Sequence, residues 1–336
     1  MPFAHLRNIA FLVPGNYRDD DPFSGLEETL RLIELGERLG YHSAWVRQRH
    51  LERGISSAAT FLAAATQRTR HIELGTAVIQ LGYENPFRLA EDLATVDVLS
   101  RGRLNVGVSA GPPPFAKLLG DLIDPVEALD FSYARAERLA RALSSAPLAN
   151  EAIAGNAAGS QVPRLRPFAS GLTQRLWYGG GSLASATWAG RAGFHLLTGN
   201  IITGEGTDDF LTAQQRLIDR FLENWTQETL PRVGLGRVIL PTDGADAVTR
   251  RRYADFVERR TARTLAPNGP KQTLFLPDII GSFEEIAEIL SQDPVLPRVS
   301  ELRLELPYEF EVDDYQQILT DFASALRLDQ DAQRAR

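Results

Sequence analysis

The chain has 336 residues, a formal net charge of -7 and no cysteine. That balance excludes a surface built for nucleic acid or an anionic membrane, which needs clustered Lys and Arg. The absent thiols exclude disulfides, thiolate metal sites and cysteine nucleophiles. With 43% hydrophobic and 24% charged residues it has the composition of an ordinary globular protein, long enough for two small domains or one large barrel. The opening MPFAHLRNIAFLVPG holds only a short apolar run before its proline and glycine, too brief for a secretory core, so it is expected to be a first strand. No other apolar run approaches membrane-spanning length, and a cytoplasmic protein is the expectation.

Strand-like apolar runs follow at 9–14, 42–47, 72–79, 104–109, 175–178, 194–198, 233–240 and 301–306. Helical patterns separate them. Ser24 and Glu27 have the spacing of a capping box before Leu26, Leu30 and Ile33, with Gly40 as the stop. Asn85 and Pro86 are placed to start a helix whose apolar face is Leu89, Leu93 and Val96, ending at Gly102. Ser282 and Glu285 repeat the capping spacing near the end of the chain. Eight strands alternating with helices predict a single (β/α)8 TIM barrel over residues 1–336, with long loop insertions at the C-terminal face. Residues 111–125, with Pro112, Pro113 and Pro114, and 146–173 are expected to be long loops, and 265–281 a lid.

In such a barrel the chemistry sits just beyond the carboxyl ends of the strands. Two exits carry a signal. WYGGGSLASATWAGRAG is a strand, three glycines and a helix opening at Ser182, a geometry suited to a phosphate or to a plain tight turn with a serine cap. In GYHSAWVRQRHL, His50 lies past the second strand beside Gln48 and Arg49, where an imidazole can meet a substrate or simply be structural. His5, His42, His71 and His195 form no pair with metal-ligand spacing, so no metal is expected, and no G-x-S-x-G elbow supports a serine triad. Phe11, Trp45 and Tyr83 are candidate apolar walls.

These segments together resemble one family. ERLGYHSAWVRQRH, NPFRLAEDLATVDVLSRGRLNVGVSAG, YGGGSLASATWAGRAG and GSFEEIAEIL are similar, in order, to the signatures of the bacterial luciferase-like flavin-dependent monooxygenases. The resemblance implies reduced FMN, or the deazaflavin coenzyme F420, at the C-terminal face, with a separate flavin reductase supplying reduced flavin and O2 oxidising a small organic substrate. It implies a homodimer. It carries flavin contacts to Thr76, Ala77, Ser109, Tyr133, Gly180, Gly181, Ser182 and Ser185, a catalytic place to His50 and Arg49, and a non-proline cis peptide near Thr76 and Ala77.

The chain also departs from the family. Gln48, Arg49 and His50 stand where it has Glu-His-His, and Ala110 and Tyr133 stand where luciferases place phosphate-binding arginines. Arg135 or Lys117 is then required to reach the phosphate, or the site is altered. A deazaflavin-dependent dehydrogenase or reductase and a noncatalytic flavin-binding subunit are the alternatives.

Overall fold

The structure is a computed structural model in which residues 6, 8–123, 130–155 and 159–328 are described; His5 and Pro125 lie outside them. The apolar runs form β1 (Asn8–Val13), β2 (Ser43–Val46), β3 (Glu73–Thr76), β4 (Leu104–Ser109), β5 (Leu176–Gly179), β6 (His195–Thr198), β7 (Val233–Arg237) and β8 (Glu301–Glu305). All pair in parallel and in chain order. The ring closes where β1 meets β8, with Asn8 opposite Glu301, and β3 meets β4, with Leu74 opposite Leu104. Around it lie α1 (Pro22–Leu39), α2 (Ala58–Arg68), α3 (Pro86–Ser100), α4 (Ala134–Leu143), α5 (Leu183–Ala192), α6 (Phe210–Glu223), α7 (Ala247–Thr261), α8 (Phe283–Ser291) and α9 (Val312–Leu326).

Strand alternation sorts side chains between two cores. Ala10, Leu12, Trp45, Ala77, Trp177 and Leu197 point inward and pack with one another, whereas Ile9, Phe11, Val13 and their equivalents face the helices. Trp45 and Trp177 meet edge to face at 5.6 Å in the barrel centre. Glycine makes room for them. A Cβ at Gly75 would stand 2.3 Å from the Trp45 ring.

Several boundaries differ from the sequence expectation. The helix expected to start at Ser24 begins at Pro22, because Asp21 caps it by accepting the Ser24 N–H at 3.1 Å and proline suits the first helical position. Glu27 is therefore released from a capping role and pairs with Arg68 at 2.7 Å. The run at 72–79 is interrupted after Thr76, and the run at 233–240 divides into β7 and Ile239–Pro241. Residues 265–281 are not a structureless loop. Thr273–Phe275 pairs antiparallel with Ile201–Thr203, and Ile279–Gly281 pairs parallel with Ile239–Pro241, so both ends are tied to the barrel rim. Among the described residues no helix is long and apolar enough to cross a membrane.

Candidate active site at the carboxyl ends of the strands

At the exit of β2 the chain turns so that Gln48 is buried while Arg49 and His50 stay partly open. Gln48 Oε1 accepts the Ala58 N–H at 3.1 Å, which fixes the amide orientation. Its Nε2 then donates to Glu84 Oε1 at 2.8 Å and lies 2.9 Å from His50 Nε2. An amide nitrogen can only donate, so His50 Nε2 accepts and the ring proton sits on Nδ1. Burial lowers the imidazole's proton affinity and raises that of the Glu84 carboxyl. His50 is a neutral imidazole with one N–H to offer, stacked on Tyr83 at 3.9 Å.

Arg49 turns the other way. Its Nε and Nη2 donate to the Tyr308 hydroxyl at 3.3 and 3.2 Å, and Nη1 stands 3.6 Å from Glu52. Arg47 donates to the same hydroxyl at 3.0 Å and faces Glu305 at 3.6 Å. Arg303 lies 3.8 Å from both Glu305 and Glu301, so β8 carries a ladder of charge up the inside of the barrel. Sequence reasoning missed these residues. Their signal was present in ELRLE, where charge and Leu alternate and the Leu face must look out toward the helices.

At the exit of β3 a cis peptide joins Ala77 to Val78, at the place the resemblance implied. Thr76 Oγ1 donates to the Gly107 carbonyl at 2.8 Å and accepts that residue's N–H at 2.9 Å. Val78 lies against Gly179, where a Cβ would come within 2.9 Å of it. Ser109, half-buried, ends β4 opposite Gln80. Of the expected apolar walls, Tyr83 touches His50 and Trp45 lies deeper in the barrel. Phe11 faces outward onto Gly36 and Tyr41, since its strand position points to the helices.

The glycine turn after β5 is closely built. Gly180 donates its N–H to Leu197 at 3.0 Å, and a Cβ there would stand 2.8 Å from Leu196. Thr203 donates to the Gly181 carbonyl at 2.7 Å. Ser182 caps α5: its Oγ accepts the Ser185 N–H at 3.2 Å, and Ser185 Oγ accepts the Ser182 N–H at 3.0 Å. The Leu183 N–H donates to the Glu205 carboxylate at 2.5 Å. Tyr133 stacks on Trp188 at 4.6 Å, and burial, aided by the Glu205 charge, raises its phenol's proton affinity. Arg135 does not reach this turn. Its guanidinium donates to the carbonyls of Leu81 and Glu84, in the turn before α3, and of Asp130. Lys117 is exposed on the short helix Ala116–Leu119.

Tested against a flavin mononucleotide, the two ends of this mouth differ. The Ala77–Val78 peptide, the Ser109 hydroxyl and the His50 N–H are uncharged groups that suit a neutral ring. The α5 end already holds the Glu205 carboxylate, whose charge reaches the neighbouring Tyr133, so as its side chains lie it does not fit a phosphate dianion.

The luciferase-like monooxygenase family matches residues 8–273. Limonene 1,2-monooxygenase of Rhodococcus erythropolis is 40% identical over 124 residues, 35% of this chain and 31% of that protein. The oxygenase component of a flavin-dependent trigonelline monooxygenase from Acinetobacter baylyi is 30% identical over 91 residues, 26% of this chain and 25% of that one. The matched segments thus span 31% and 25% of these curated relatives. Among solved structures, apo-MsnO8 superposes with a TM-score of 0.71 at 19% identity, covering 96% of this chain and 98% of that one. The oxygenating constituent of 3,6-diketocamphane monooxygenase from Pseudomonas putida, solved with FMN, gives 0.64 at 14% identity, over 94% and 96% of the two chains. An F420-dependent secondary alcohol dehydrogenase gives 0.59 at 16%, over 94% and 99%. Those identities speak for the fold alone. The family match covers most of the chain, and with the closed barrel it establishes that this protein belongs to the luciferase-like monooxygenase family of enzymes.

Proposed function

We propose that this chain is a flavin-dependent monooxygenase that uses reduced FMN and O2 on a small organic substrate. The observation that carries the reading is the convergence of the β2, β3, β4 and β5 exits on one rim of a closed barrel in a chain of this family. Reduced flavin, when bound, activates dioxygen so that one oxygen atom enters the substrate and the other leaves as water. In this reading Thr76, Ala77 and Ser109 border the ring, and the turn of Gly180, Gly181, Ser182 and Ser185, with Tyr133 beside it, faces the phosphate end, which reaches the α5 terminus only once Glu205 has left the Leu183 N–H. His50 offers its Nδ1–H to an oxygen atom. It does not abstract a proton, because its other lone pair is engaged by Gln48. Arg49, held by the Tyr308 hydroxyl, flanks the substrate from that side.

The relative named an oxygenase component supports a separate flavin reductase as the source of reduced flavin. The reading includes a cytoplasmic homodimer, for which the exposed Phe87 and Val98 on α3 offer apolar surface and light scattering gives the test. A second reading, hydride transfer with coenzyme F420, draws support from Ala110 and Tyr133 standing where phosphate-binding guanidinium groups are otherwise required. Anaerobic fluorescence titration with reduced FMN and with F420 separates the two. Micromolar FMN binding is expected, selective F420 binding replaces FMN, and binding of neither refutes both. His50→Ala and Arg49→Ala are expected to slow oxidation of bound reduced flavin in stopped flow, by about tenfold or more for His50. Unchanged rates in both would clear the β2 exit of a role.

A further inference from the structure

The α5 amino terminus is occupied by the protein's own anion. Leu183 N–H donates to Glu205, while Ser182 and Ser185 satisfy each other, so three amides of that terminus are already in use. The placement is enforced. Thr203, two residues before Glu205, donates to the Gly181 carbonyl, and Ile201–Thr203 is itself paired to Thr273–Phe275. Yet Glu205 is exposed and lies between Gly204 and Gly206, the latter at φ 79°, so the carboxylate can swing into water without disturbing packed atoms. Among the described residues no Lys or Arg forms an ion pair with it. Arg216 borders the same crevice, and its Nη1 is engaged by the Gly206 carbonyl at 3.3 Å.

We propose that Glu205 is a built-in competitor for the flavin phosphate, making this chain nearly indifferent to the phosphate of its flavin. This rests on the flavin reading above. A phosphate dianion must first displace a carboxylate from the α5 terminus, and the guanidinium that borders the crevice, Arg216, is already engaged by the Gly206 carbonyl. A flavin lacking phosphate meets no such cost, because the uncharged ring end is unaffected.

The test is titration of oxidised FMN and riboflavin, by flavin fluorescence, into the full-length wild type and Glu205→Gln and Glu205→Ala variants. Wild type is expected to bind both flavins with comparable affinity. In both variants FMN is expected to tighten about tenfold, equivalent to about 1.4 kcal/mol, with riboflavin unchanged. A wild type that strongly prefers FMN, or variants in which the FMN-to-riboflavin ratio stays the same or falls, overturns the proposal and leaves the flavin reading intact. If Glu205 were only a helix cap, both flavins would weaken together. Absence of binding by either flavin in all three proteins overturns the flavin reading itself.

Discussion

Two imidazoles in this molecule have their charge state decided by the atoms around them. Burial lowers the proton affinity of His50, and the Gln48 amide fixes its tautomer. His195, at the start of β6, is more tightly constrained: Nδ1 accepts the Arg232 N–H at 3.2 Å, Nε2 faces the Gln174 carbonyl at 3.2 Å, and the ring stacks on Trp225. Burial, with the nearby Arg232 charge, pushes its pKa down to about 3. The unfolded chain binds a proton there near pH 6.5 and the folded chain does not, so stability is complete above that pH and falls as pH drops below it. Urea unfolding of wild type is expected to lose about 1.4 kcal/mol per pH unit from this group between pH 6 and 4. His195→Gln removes that component of the slope, and an unchanged slope in the variant would refute the assignment. The sequence singled out His50 by its position at a strand exit but could not show its tautomer, which depends on Ala58 and Glu84 orienting Gln48.

At the scale of elements, the unit β3–α3–β4 was the most legible part of the chain because its signals are local. Asn85 Oδ1 accepts the N–H groups of Phe87 and Arg88 at 3.0 and 3.2 Å, and Pro86 takes the first helical position. Asn85→Ala should cost about 1 kcal/mol, read as a lower urea midpoint at unchanged slope. The start of α1 departs from the Ser24 expectation for an equally local reason, since both Asp21 and Ser24 are good caps and only Asp21 precedes a proline. The strands at 273–275 and 279–281 were invisible for the opposite reason. Three residues have no periodicity to detect, and these exist only because partners some 40 to 70 residues away pair with them.

The whole molecule depends on filling the inside of a closed ring. Trp45 and Trp177 occupy its centre, and glycines on β3, β4 and β7 yield the space that Trp45, Leu197 and Glu305 take up. Gly75→Ala is expected to destabilise the barrel by about 1–3 kcal/mol, because the added methyl meets a buried ring that cannot retreat. Chemical denaturation checks this, and a variant as stable as wild type would mean the indole has room to shift. The same closure brings Arg47, Glu305, Arg303 and Glu301 into one interior column that no single segment announces.

The succession of strands and helices, the caps of α3, α5 and α8 and the barrel they imply follow from local pattern, because periodicity and capping act over a few residues. Tertiary structure alone decided that Arg135 is spent on carbonyls more than 50 residues away and that Glu205 sits on the α5 terminus 22 residues before it. A residue pattern specifies which face a side chain takes. Hydrogen bonds form only within about 3 Å, so the identity of the neighbour waits on how the ring closes.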